Sequence, residues 1–397
     1  MKTKVKNIGK LFTWAVLLML PIGLTPSPAH AVTYYQQVDL TSDVSGAANN
    51  TDSNLINPWG ISHSSTSPFW VSDFGTGVST LYNGAGQPFP VNSPLVVTIP
   101  VAPGGTPPSH PTGLVSNPSS SFVLPSGGRA LFLFATEDGT ISGWNGNSGT
   151  SAIRMVDSSG SDAIYTGLAI GNNGSGDFLY AANFYAGRID VLAGTFAPTT
   201  LAGSFTDPNL PPGYAPFNVQ NLGGSLYVTY AKPDESGSDG EPGPGLGYVD
   251  VFDLNGNLLR RLISDDKLNA PWGLALAPAS FGDFSGDLLV GNVGDGLINA
   301  FDPATGAYLG TLQNTMGDPI VIDGLRGLIF GNGGNGGDLN VLYFTAGPVD
   351  EQPDGPLDEQ HGLFGSLAPL AVPEPATMLL LGTGLVGLVG LRRRFKK

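Results

Sequence analysis

Short apolar runs separated by clusters of Gly, Asp, Asn and Pro recur along the chain, and the clearest instance lies between Ala270 and Asp302. Residues 274–277 follow a Pro-Trp-Gly turn, residues 288–292 follow Gly286-Asp287, and residues 297–301 follow Gly294-Asp295-Gly296. The pattern predicts three short strands joined by tight turns. Such a unit cannot bury its faces alone, so it needs copies of itself.

The copies are present. Each is headed by a turn of one type: Trp59-Gly60-Ile61, Thr112-Gly113-Leu114, Thr166-Gly167-Leu168, Phe217-Asn218-Val219, Trp272-Gly273-Leu274 and Arg326-Gly327-Leu328. Their central residues lie 53, 54, 51, 55 and 54 positions apart. Six head turns separated by five near-equal intervals of strand-rich sequence predict an all-β, six-bladed β-propeller, in which radial packing leaves few strand edges exposed. Asn218 replaces Gly in the fourth copy, and the reading here is that Asn tolerates a positive φ that Gly supplies elsewhere. Residues 34–40 alternate weakly before the first head turn and are the candidate strand that closes the ring.

Composition changes this picture little. Charged residues make up 12% of the chain, while 58 Gly and 33 Pro favour turns over helices. Cysteine is absent, which excludes a disulfide framework and a thiol nucleophile.

The two ends differ from the body. Residues 1–31 combine Lys2, Lys4, Lys6 and Lys10, an apolar run over 11–24, and Ala29-His30-Ala31, the three parts of a signal peptide cut after Ala31. Residues 371–397 contain Val372-Pro373-Glu374-Pro375, a 16-residue apolar span over 376–391, and a basic end that includes Arg392, Arg393 and Arg394. A span of that length is short for crossing a bilayer, and its basic flank favours the cytoplasmic side. This tail resembles the PEP-CTERM sorting signal of exported bacterial proteins. The resemblance implies processing near Pro373, Glu374 and Pro375 by an exosortase-type enzyme, transient anchoring in the inner membrane, and a final place in the periplasm, at the cell surface or outside the cell. Residues 32–370 are then the propeller body.

Nine of the 17 basic residues lie in those end segments, against one of the 32 acids, leaving the body with a formal charge of −23. Such a surface excludes nucleic acid as a partner. Part of the charge is concentrated in two insertions after the second strand of copies four and six, with Asp234, Glu235, Asp239 and Glu241 in one and Asp350, Glu351, Asp354 and Asp358 in the other. In a propeller those loops share a face with the head turns, and extra loop length there marks a binding face. The carboxylates suit calcium, and their Gly, Pro and Ser surroundings equally suit plain solvated loops. The runs 171–177, 281–287 and 331–338 look superficially like calcium loops, but lack the EF-hand spacing and read as hairpin turns.

The repeat region resembles six-bladed NHL-like and gluconolactonase-like propellers, and an exported bacterial group carrying the same tail. Lactonase-like members hold a divalent metal on Glu, Asn and Asp around the channel. The head turns here offer Asn57, Asn218 and Asp323, with no Glu among them. His110 precedes the head turn of copy two and Arg326 sits within that of copy six, and both are further channel-mouth candidates, while His63, His110 and His361 form no zinc-type pair. Trp59 and Trp272 share one repeat position and suit either sugar stacking or blade packing. The expected role is therefore a surface or matrix binding module or scaffold, with exopolysaccharide or a surface protein as partner. The competing expectation is a metal-dependent hydrolase or lyase at the channel mouth.

Overall fold

Each copy of the repeat folds into one antiparallel sheet, and six such sheets stand around a common axis. The structure, a computed structural model, describes residues 33–348 and 360–371. Ala31, Asp350, Glu351, Asp354, Asp358, Pro373, Glu374, Pro375, Arg392, Arg393 and Arg394 lie outside the described residues. Among the described residues, the only helical elements are three short 3-10 turns. No helix there is long and apolar enough to cross a membrane.

The innermost strands are Pro58–Ser62, Pro111–Ser116, Tyr165–Asn172, Ala215–Leu222, Pro271–Leu276 and Leu325–Phe330 in blades 1 to 6. Each ends its own sheet, so one backbone edge of each faces the axis. The predicted strands at 288–292 and 297–301 appear as Leu288–Asn292 and Ile298–Phe301. The Gly-rich runs connect the first two strands of blades 3, 5 and 6. Large side chains weld neighbouring blades: Trp70 of blade 1 stacks on Phe132 of blade 2 at 4.3 Å between centroids and meets Trp144 at 4.7 Å.

Blade 6 is built from both ends of the body. Thr33–Ser42 pairs antiparallel with Leu363–Ala371, in a ladder from Thr33 opposite Ala371 to Ser42 opposite Leu363. This is the closing strand expected from residues 34–40, and it covers what would otherwise be an open edge.

Contrary to the expectation from sequence, positive φ is not what the head-turn glycines supply. None of Gly60, Gly113, Gly167, Gly273 and Gly327 has a positive φ, and neither has Asn218. They are small because adjacent inner strands converge: a Cβ on Gly60 would lie 2.3 Å from Thr112 O, and one on Gly113 would lie 2.4 Å from Leu168 N. The positive φ falls earlier, at Asn57 (44°) and Ala270 (46°), immediately before Pro58 and Pro271.

Candidate functional site

In all six blades the pairing of the innermost strand with its neighbour slips at the head turn. A bulge re-aims the side chain it carries. The residues in these slips are Trp59, Thr112, Thr166, Phe217, Trp272 and Arg326, and all are buried.

Four of them form a plug. Trp59 meets Phe217 at 6.1 Å and Trp272 at 6.0 Å, both edge-to-face, so residues of blades 1, 4 and 5 touch across the axis. The Arg326 guanidinium lies 4.3 Å from the Trp59 ring centre and donates from Nη2 to Asp239 Oδ2 at 2.8 Å. Hydroxyls and amides tie the layer together. Thr112 Oγ1 donates to Tyr165 O at 2.5 Å, Trp272 Nε1 to Thr166 O at 3.1 Å, and Asn218 Nδ2 to Trp272 O at 2.8 Å. Phe74, Phe184 and Val293, from loops on the head-turn face, pack on the same apolar cluster. Side chains thus fill the channel at the face where the longest loops arise.

The candidate channel-mouth residues are therefore not gathered into one open site. Trp59 and Trp272 come together, but in the plug. Asn218 spends its amide on Trp272 O and on accepting from Val219 N at 2.8 Å. Asn57 lies at the junction of blades 1 and 6, its backbone N–H donating to His361 O at 3.0 Å. Asp323 is exposed ahead of blade 6. The His110 ring lies tilted against Phe74 with 4.8 Å between centroids, and its Nδ1 lies 3.3 Å from Asp138 Oδ1. Asn57, Asn218 and Asp323 do not fit a shared lactonase-type metal.

The blade 4 insertion is an ordered turn. Asp234 Oδ1 accepts from Gly237 N at 2.9 Å and from Ser236 Oγ at 2.7 Å, Asp239 pairs with Arg326, and Glu241 pairs with Lys232. No interaction of Glu235 is present among the described residues. Three of the four acids proposed as calcium ligands are thus already engaged in backbone capping or ion pairs. No group of three or more His, Cys, Asp or Glu suited to a metal occurs among the described residues.

The channel instead opens on the opposite face, among the hairpins joining first and second strands. There the inner strands enclose a cavity of about 370 Å³. Trp272 and Asn218 border it on the plug side, Leu114 and Leu328 belong to its wall, and Ser116 and Gln220 lie toward the other end of the strands. No Asp, Glu, Lys, Arg or His lines it. The hydrophobic pattern could have suggested the plug, since a bulky or hydroxylated residue precedes each central Gly or Asn. It could not reveal which way the bulges turn those side chains.

Blade 4 also carries a titratable cluster that sequence reading missed. Arg261 hydrogen-bonds Asp207, and its Nε lies 3.7 Å from Asp250 Oδ1. It lies 5.0 Å from the Tyr248 ring centre. Burial, followed by the Asp207 charge and opposed by Arg261, pushes the Asp250 carboxyl up to about 7. Asp73 of blade 1 is buried too, and burial holds its carboxyl well above the usual range.

Fold and tail together define an exported, surface-directed β-propeller: the PEP-CTERM protein-sorting motif matches residues 371–394. The chain belongs to one family with an uncharacterized protein of Acanthamoeba polyphaga mimivirus, 35% identical over 349 residues, covering 85% of this chain and 82% of the relative. A second mimivirus protein is 35% identical over 340 residues, covering 83% of this chain and 86% of its own. Among solved structures, a streptogramin B lyase aligns with a TM-score of 0.46 and 11% identity, covering 85% of this chain and 98% of the lyase. A putative gluconolactonase aligns with a TM-score of 0.42 and 18% identity, covering 65% of this chain and 88% of that one.

Proposed function

We propose that the protein is a binding or scaffold module of the cell surface or extracellular matrix, delivered there after exosortase-type processing of its tail. The observation that carries this reading is the plug. Arg326, Trp59, Phe217 and Trp272 fill the channel on the long-loop face with side chains packed against one another, where a lactonase-like enzyme would need an open metal site. The opposite cavity has binding-site dimensions and no ionisable side chain in its lining. General acid–base chemistry needs a titratable group within reach of the substrate. A bound partner needs only shape and hydrogen bonds.

The test is retention of the processed protein on exopolysaccharide isolated from its host, measured by co-sedimentation, beside assays for sugar-lactone hydrolysis. Retention without turnover is expected. Turnover abolished by replacing Asn57 or Asp323, without retention, would overturn the reading in favour of the enzyme.

A further inference from the structure

We infer that the cavity on the hairpin face is a binding site for a neutral, hydroxyl-bearing ligand the size of a mono- or disaccharide. This rests on the binding-module reading and narrows it.

Charge is the first constraint. The body carries a formal charge of −23, which repels anions, and the cavity offers no Lys, Arg or His to compensate. A cation would lose hydration without gaining a carboxylate. A neutral ligand incurs neither cost.

Polarity is the second. Ile61, Leu114, Leu168, Val219 and Leu328 supply branched apolar surface, and Trp272 adds part of an indole. Between them run the unpaired backbone edges of the inner strands, which present fixed donors and acceptors. Gln220 and Ser116 line the same space, and their side chains make no hydrogen bond among the described residues. Neighbouring polar groups are already engaged: Asn221 Nδ2 donates to Ile170 O at 2.9 Å, its Oδ1 accepts from Gly224 N at 3.1 Å, and Ser62 Oγ accepts from Ser116 N at 3.1 Å. Alternating C–H faces and hydroxyls are what such a wall matches. A volume of about 370 Å³ limits the ligand to one or two rings.

Rigidity is the third. The plug side is locked by the Trp272 and Asn218 hydrogen bonds, so little ordering remains to be done on binding.

The experiment uses the full chain in a non-glycosidic detergent and titrates glucose, galactose, mannose and N-acetylglucosamine, with glucuronate as the charged counterpart, by calorimetry or saturation-transfer NMR. At least one neutral sugar should bind, with glucuronate weaker by ~10-fold or more. Gln220→Met, which keeps the volume but removes the amide, should weaken binding by roughly 5- to 10-fold. Ser116→Trp, which fills the mouth, should abolish it, with unchanged circular dichroism showing that the fold survives. Should Ser116→Trp misfold, Gln220→Met decides alone. Absence of binding by every neutral sugar overturns the inference, as does binding that both variants leave intact. Polysaccharide retention that persists in both variants would overturn the cavity assignment while leaving the wider binding reading in place.

Discussion

The Arg326 guanidinium lies 4.3 Å from the centre of the Trp59 ring, at the axis, with Asp239 on one of its nitrogens. A buried guanidinium is tolerable only when its charge and donors are matched, and here an indole face and a carboxylate contribute to that. Arg326→Ala removes a member of a buried pair and should cost ~3–5 kcal/mol in urea unfolding. Asp239→Asn leaves the fully buried Arg326 charge without this carboxylate and should cost ~3 kcal/mol. A double-mutant cycle between Trp59 and Arg326 should return a coupling of ~1–2 kcal/mol. A coupling near zero would show that the two side chains merely share a space.

The Asp250 carboxyl makes stability depend on pH. Its folded value of about 7 stands above the ordinary 3.8, so between those pH values the folded chain holds a proton that the unfolded chain has released. The associated stabilisation is complete below about pH 4 and is lost as pH rises through 7, on the order of 4 kcal/mol. Asp250→Asn should flatten this part of the profile, so that its melting temperature falls less than wild type's between pH 5 and pH 8. Parallel profiles would contradict the assignment to Asp250.

Ring closure rests on the pairing of Thr33–Ser42 with Leu363–Ala371, in which Gln36 stands opposite Ala368. Cysteines at these two positions in a chain that has none should form a cross-strand disulfide worth ~2–4 kcal/mol, visible as a melting temperature that drops on reduction. Val38→Pro, which removes a donor facing Ser366 in the ladder that completes blade 6, should destabilise by about 3 kcal/mol. If neither change moves the melting temperature, the ladder is not what holds the ring shut.

The sorting motif predicts a processing phenotype. Replacing Pro373, Glu374 and Pro375 with Ala should leave the protein in the membrane fraction at higher mass, read by immunoblot of fractionated cells. Normal release would show that processing ignores the Pro-Glu-Pro segment.

Much of the architecture was legible because the repeat is punctuated at one physical bottleneck. Six inner strands crowd the axis, and only a residue as small as Gly fits where Gly60 approaches Thr112 O. That spacing reveals the blade number without any knowledge of the contacts. The site was less legible. Trp59 and Trp272 share a repeat position whether they face solvent or each other, and a bulge decides between the two through a backbone slip that leaves no mark in composition. For the same reason the open end of the channel was expected on the face of the long loops and lies on the other. Arg326 looked like a mouth residue because an Arg at the axis is normally wet, and its burial depends on Asp239 arriving from blade 4, 87 positions away.

Blade 6 also orders events during synthesis. Residues 33–42 emerge early from the ribosome, yet their partner strand, 363–371, is among the last segments of the body to be made. The first strand must therefore wait, and five blades can assemble while the sixth lacks two of its four main strands. Until then the newborn propeller is an open arc with adhesive edges, and a cell that makes it needs something to occupy those edges or to keep the chain extended until the last strand arrives.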